Sequence, residues 1–434
     1  SAASDVYKRQ GSVFIGVGWD ESTEFGFFVA ADESSGTPAR SGYFTSGGAG
    51  WYSVSSVFPN YRSLMVRADG FSPIDGDWDQ VVGSIFGGGN GFGDSSNSVV
   101  QAMEAFDSAL YVGTENLIGA EVNFTFDGEN WFLGNSPGFN SAGNDAISYL
   151  IQFDDHLYAS TLNPLLGTQV WRTTAPLAWE NVEGTGFGDY LNISAPSGSV
   201  FNGSLYLGTK HNGGCEIWRT PDGATWTQVH TNGFGNPQNK AAESMAVFRD
   251  ELRVGTRNDA GAELWRSPDG IIWFPVIVGG FGTSANAAIT DLVVFRGALF
   301  AGVSNSVTGA QLWRSVNGTG WQRVVGDGFG EPGNSEFDGF SIGDLGLVAA
   351  VSGPSSAGTV WQSSDGLAWS AISSPGFKDP DNEAIGALQY WGDRIFAGTS
   401  NPASGCEVWR GGRYPLFEDG FESGGTGAWG LAVP

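Results

Sequence analysis

Six times along the chain a small β-branched residue stands two places before an amide or imidazole side chain, and a glutamate or glutamine follows within a few residues. The sets are Thr114, Asn116 and Glu121; Thr161, Asn163 and Gln169; Thr209, His211 and Glu216; Thr256, Asn258 and Glu263; Val303, Asn305 and Gln311; Thr399, Asn401 and Glu407. Hydroxyl, amide and carboxylate groups are the types that grip sugar hydroxyls, through paired hydrogen bonds beside an aromatic ring. The expected ligand-binding residues are Asn116, Glu121, Asn163, His211, Glu216, Arg257, Asn258, Glu263, Asn305, Asn401 and Glu407. The competing reading is structural, because Asn and Thr also tie loops to backbone groups.

Other chemistry has less to stand on. Polysaccharide hydrolysis needs two carboxyl groups about 5–9.5 Å apart, and loop acids such as Asp94, Asp189, Glu331, Asp379 and Asp381 are the candidates. Glu104, Asp291 and Asp338 read as isolated acids in otherwise apolar strands. His211 has no partner at metal-ligand spacing, and CxxC, HExxH and phosphate-binding glycine loops are missing from the sequence. Neither a metal nor a cofactor is expected. Cys215 and Cys406, the only two cysteines, occupy the same position four repeats apart and read as separate buried thiols.

The elements that must position these groups come from a repeat. Trp171, Trp218, Trp265, Trp313, Trp361 and Trp409 are spaced by 47, 47, 48, 48 and 48 residues. Each repeat reads as four strands. Strand A is apolar and ends in Phe, as at Phe248 and Phe295; strand B is of the type LYVGT (110–114). Strand C carries Trp-Arg, and strand D starts at a second Trp (Trp78, Trp131, Trp179, Trp226, Trp273, Trp321, Trp369). A Gly-Phe turn follows, then an asparagine expected to be structural: Asn97, Asn144, Asn192, Asn239, Asn286, Asn334 and Asn382. Antiparallel four-stranded units at this period predict a seven-bladed β-propeller over 78–413. Strands A, B and C recur seven times after residue 97, but strand D only six, so the strand at 78–82 is expected to complete the last blade, a 3+1 closure that removes an exposed edge. B–C and D–A turns then share one face, which carries the candidate ligand loops, and C–D turns mark the other.

The C–D turns read Thr220-Pro-Asp222-Gly, Ser267-Pro-Asp269-Gly, Ser315-Val-Asn317-Gly and Ser363-Ser-Asp365-Gly, each followed by a Trp. They resemble, one residue shorter, the Asp-box of sialidase-like and sortilin-like propellers. That resemblance implies a structural role for Asp222, Asp269 and Asp365, away from the ligand. Sialidase chemistry is not expected, because Arg172, Arg219, Arg266, Arg314 and Arg410 are spread around the ring and cannot converge on one carboxylate.

Outside the repeat, residues 1–10 match nothing that follows and are expected to be a non-native leader. Residues 11–68 alternate short apolar runs with Gly, Ser and Pro and predict a partial β-sandwich. Their GYFTSGGAGWYSV segment resembles the last strands of jelly-roll-like modules on secreted bacterial enzymes and adhesins. Residues 69–77 read as a linker. The 414–434 tail carries LFEDGFESGGTGAW and resembles short C-terminal tails of secreted proteins of some Gram-negative bacteria, which implies an extracellular or cell-surface location.

Net charge is −26, with lysine only at positions 8, 210, 240 and 378. So acidic a surface repels phosphate backbones and anionic membranes, so neither nucleic acid nor membrane insertion is expected. The expected function is a non-catalytic binding protein for glycan or a surface polymer. A polysaccharide hydrolase and a protein-binding scaffold are the alternatives.

Overall fold

A computed structural model describes residues 78–83, 89–343, 346–354 and 356–412, and the backbone of six strands between residues 6 and 67. The chain forms two compact units, one of Ser1–Asp77 with Arg413–Pro434 and one of Trp78–Gly412. In the first, Val6–Arg9, Ser12–Gly18, Gly26–Asp32 and Ser63–Arg67 make an antiparallel sheet, and Tyr43–Thr45 pairs with Trp51–Ser53. Val6–Arg9 lies in the stretch expected to be a leader, yet it pairs with its neighbour. The 69–77 linker and the 414–434 tail lie outside the described residues.

The second unit is all β, apart from short 3-10 turns, among its described residues. Its strands pair in antiparallel sets of four, A to D in chain order. The first is Val99–Phe106, Ala109–Glu115, Val122–Thr125 and Phe132–Leu133. Ala146–Phe153, His156–Leu162, Val170–Thr173 and Glu180–Glu183 form the second. Ser194–Phe201, Ser204–Lys210, Ile217–Thr220 and Thr227–His230 form the third. The fourth is Ala241–Phe248, Glu251–Arg257, Leu264–Ser267 and Phe274–Ile277. The fifth is Asn286–Phe295, Ala298–Asn305, Gln311–Ser315 and Gln322–Val325. Glu336–Gly343, Gly346–Gly353, Ser356–Ser363 and Ser370–Ala371 make the sixth. In the last, Ala384–Trp391, Arg394–Ser400 and Val408–Gly412 are joined by Asp79–Val82, with Trp409 opposite Gln80.

Strand A of each set lies beside strand A of the next, and Ala384–Trp391 lies beside Val99–Phe106. The apolar core is correspondingly divided into clusters, each shared by two neighbouring sets. One unites Ala102, Tyr111 and Phe124 with Ile147 and Leu157, and another unites Val100 and Met103 with Phe396 and Val408. The glycine of LYVGT makes this approach possible. A Cβ on Gly113 would come 2.5 Å from Ile147 of the next set, and one on Gly398 would come 2.3 Å from Val100. A larger side chain there would separate the sheets.

Aromatic rings lock the sets together. Phe139, from the turn after the first set, stacks on Trp171 at 4.5 Å and meets Trp179 edge-on at 5.4 Å, both in the second set. Phe187, Phe234 and Phe281 repeat the arrangement on the tryptophan pairs of the sets that follow them. Phe377 does so with Trp409 and Trp78, which come from opposite ends of this unit. All seven turn phenylalanines hold φ between 54 and 61°. That left-handed backbone costs a bulky residue about 1–3 kcal/mol, so the ring contacts must outweigh it.

Candidate functional site

The loop residues picked out as ligand-binding face one another. In the fourth set Asn239 donates from Nδ2 to Gly233 O (2.8 Å) and Glu263 Oε2 (2.7 Å), while its Oδ1 accepts from Thr256 and Asn258. Glu263 Oε2 also accepts from Trp265 Nε1 at 3.0 Å. Asn97 binds Thr114, Asn116 and Glu121 in the same way, and Asn144 binds Thr161, Asn163 and Gln169. Asn286 binds Asn305 and Gln311, and Asn382 binds Asn401 and Glu407. Asn334 donates to Gly328 O. These asparagines, with Glu216, Glu263 and Glu407, are buried. Their polar atoms are spent inside the protein because the loop turns bury backbone groups that need partners.

Three of the picked residues depart from this. Glu121 is half-buried and takes Asn123 Nδ2 where other sets have a tryptophan. Arg257 is half-exposed and holds Glu243 at 2.6 Å. His211 stands where five other sets have asparagine and the sixth set has Gly353. Its Nδ1 accepts from Gly213 N at 2.8 Å, which places the imidazole proton on Nε2, 3.4 Å from Asp189 Oδ2. Asn192 Oδ1 is thereby left without a partner among the described residues. The loop acids Asp94, Asp189 and Asp379 each accept a backbone N–H two residues on, so each serves its own turn.

On the C–D turns Asp222 Oδ1 accepts from Ala224 N and Thr225 N, and Asp269 and Asp365 do the same in their sets. These N–H donors hold all three carboxyls below the ordinary range. Arg172 reaches Asp222 O of the next set and Arg410 reaches Glu129 of the first, so the tryptophan-arginine pairs stay dispersed.

The groups that do converge lie on strand A. In every set its pairing to strand B slips early: between Val100 and Ala102, Ile147 and Tyr149, Ser194 and Ser197, Ala242 and Ser244, Ile289 and Asp291, Phe337 and Gly339, and Ile385 and Ala387. A bulge of this kind re-aims side chains. Here it brings two successive residues per strand onto one cavity of about 300 Å3. One of each pair is Gln101, Ser148, Pro196, Glu243, Thr290, Asp338 or Gly386; the other is Ala102, Tyr149, Ser197, Ser244, Asp291, Gly339 or Ala387. Carbonyls next to the bulges are satisfied by hydroxyls of the preceding set: Ser197 Oγ donates to Ala242 O (2.7 Å), Ser244 Oγ to Ile289 O (2.8 Å) and Thr290 Oγ1 to Phe337 O (2.7 Å).

Glu104, Asp291 and Asp338, read from sequence as isolated, therefore line the same space. Strict alternation along a strand misses this, because each bulge changes the parity. Burial lifts Glu104 to about 7 and Asp291 to about 6, the latter in spite of N–H bonds from Leu292 (2.7 Å) and Phe340 (2.8 Å). Burial also raises Asp338 well above the carboxylate range, although Ser352 donates to its Oδ1. Tyr149 donates to Gly198 O, and its phenol is pushed up by burial first and then by the charges of Glu104 and Asp291. Such a lining can donate and accept hydrogen bonds and can hold a proton near neutral pH. No group of three His, Cys, Asp or Glu among the described residues could hold a metal ion.

No family model matches the chain. No curated protein matches it in sequence. The fold is similar to the crystal structure of a catalytically inactive variant of virginiamycin B lyase from Staphylococcus aureus with quinupristin, with a TM-score of 0.55 at 9% identity, covering 74% of this chain and 97% of that one. The structure of U3-55K aligns with a TM-score of 0.49 at 11% identity, over 78% of this chain and 98% of that one. The first likeness shows a propeller-like all-β fold.

Proposed function

We propose that the seven four-stranded sets are the blades of a closed propeller, and that the chain is a secreted or cell-surface binding protein that takes a glycan or surface polymer into its central channel. Closure is supported by Asp79–Val82 on the last set, by Phe377 between Trp78 and Trp409, and by strand Ala384–Trp391 beside Val99–Phe106. The observation that carries the binding reading is the repeated bulge. It lines one cavity with the hydroxyls of Ser148, Thr290 and Tyr149, the amides of Gln101 and Gln389, and carboxyl groups. Such a lining matches a polyol, and Tyr149 and Phe340 offer rings for its apolar face. The loops named from sequence act as a rigid frame around this channel. Screening the whole chain on a glycan array, with Gln101→Ala and Tyr149→Phe beside it, tests the reading. Binding by the parent and weaker binding by both variants is expected, and silence on every glycan rejects it.

Catalysis has one specific observation in its favour: Glu104 and Asp291 share the cavity with protons held near neutrality. In that reading Glu104 is the acid of a polysaccharide hydrolase and Asp291 the second carboxylate. Release of reducing ends by the parent and not by Glu104→Gln is its signature.

A further inference from the structure

The cavity has an unbalanced lining. Glu104, Glu243, Asp291 and Asp338 bring carboxyl groups to it from four different strands, and its lining holds no lysine, arginine or histidine among the described residues. The guanidinium of Arg257 is already bound to Glu243. Among the described residues Asp338 Oδ1 accepts from Ser352, while Oδ2 is buried and has at most the weak backbone N–H of Ile385 beside it. Carboxyl groups in a cavity either hold a proton or take a cation from outside.

The lining also narrows which cation. The acids sit on separate strands, and among the described residues no three of them meet at metal-ligand geometry, so the lining offers no carboxylate cage of the kind a small divalent ion favours. An ammonium group carries three donors and accepts oxygens at varied angles. The hydroxyls of Ser148 and Thr290 and the amide of Gln101 line the same space. The volume is at the low end of ligand pockets, with room for about one sugar ring.

The geometry points to a ligand whose sugar carries a free amine. The channel cavity takes the end of a de-N-acetylated amino-sugar chain, its ammonium among the carboxyl groups of Asp291, Asp338 and Glu104 and its hydroxyls on Ser148, Thr290 and Gln101. This rests on the reading of the cavity as a glycan site and adds the charge of the ligand. The protein's net charge of −26 draws such a ligand in. Burial keeps Glu104 and Asp291 short of full ionisation in the empty cavity, and an ammonium favours their charged forms.

Calorimetry of the whole chain with short glucosamine oligomers, and with N-acetylated oligomers of equal length, tests this at slightly acidic pH. The glucosamine series is expected to bind at least about tenfold more tightly. Asp291→Asn and Asp338→Asn are expected to lose about tenfold or more of that affinity. Asp155→Asn, which removes the same charge from an exposed turn, is expected to keep it. Equal binding of both series overturns the amine and leaves the glycan site standing; no binding of either overturns both. An equal loss in Asp155→Asn and Asp291→Asn reduces the effect to general charge attraction and overturns the inference. If Asp291→Asn does not fold, Glu104→Gln makes the same comparison.

Discussion

Glu263 accepts from Asn239 and Trp265, and Gln169 and Gln311 accept the matching pair of bonds through a neutral carbonyl oxygen. The repeat thus contains its own control. Glu263→Gln is expected to change stability by less than about 1 kcal/mol, whereas Glu263→Ala leaves buried donors unsatisfied and costs about 1–3 kcal/mol or more. Urea denaturation measures both. A ligand role for this side chain would show instead as lost binding in Glu263→Gln with stability intact. Glu104 is different, because no described partner offsets its burial. Its folded value of about 7 lies above the ordinary 4.5. The folded state therefore binds the proton more tightly, and stability falls as pH rises through that window, by up to about 3 kcal/mol. Glu104→Gln is expected to remove this loss, so melting curves of parent and variant should diverge from about pH 5 to about pH 8, the parent losing ground. The residue types at both places were legible in the sequence. Their roles were not, since the atoms that would bind a sugar hydroxyl also satisfy a buried turn.

The repeated elements were the most legible part of the chain. Trp-Arg, LYVGT, Gly-Phe and the asparagine mark the same places in successive sets, and the structure pairs the strands they delimit. The strand A bulge left no such mark. Apolar and small residues follow one another in Val99–Phe106 or Ala241–Phe248 as they would in a regular strand, and only the pairing register shows the extra residue. Its structural cost is carried by hydroxyls, so Ser244→Ala, which strips the donor from Ile289 O, is expected to destabilise by about 1–3 kcal/mol with little change in fold. The turn phenylalanines make an opposite kind of compromise. Phe234→Ala keeps a strained backbone and loses the rings of Trp265 and Trp273. A loss of about 3–5 kcal/mol in chemical unfolding is expected.

At the scale of the molecule, the proposed ring depends on one seam. Every other set is continuous in sequence from strand A to strand D, but the last borrows Asp79–Val82 from the far end of the unit. Trp78 is held there by Phe377 and donates to Ile372 O at 2.6 Å. Trp78→Ala is expected to speed amide hydrogen exchange in residues 394–412 before it affects residues 204–257; uniform acceleration would argue against a seam. The strand arithmetic that foretold this pairing needed only counts of a repeat. The cavity lined by the A strands could not be read that way, because its chemistry comes from positions where the repeat varies: Gln101, Tyr149, Glu243, Asp291 and Asp338.

Cys406 packs with Val82 and Val408 in the set that contains the seam, and Cys215 packs with Ile217 and Phe234 between continuous sets. Both thiols are free and buried. An alkylating reagent reaches either sulfur only when its surroundings part, so the two labelling rates time the breathing of two joints in one molecule. The sulfur beside the stitched joint should react first, and the ratio of the rates reports how often the borrowed strand lifts away.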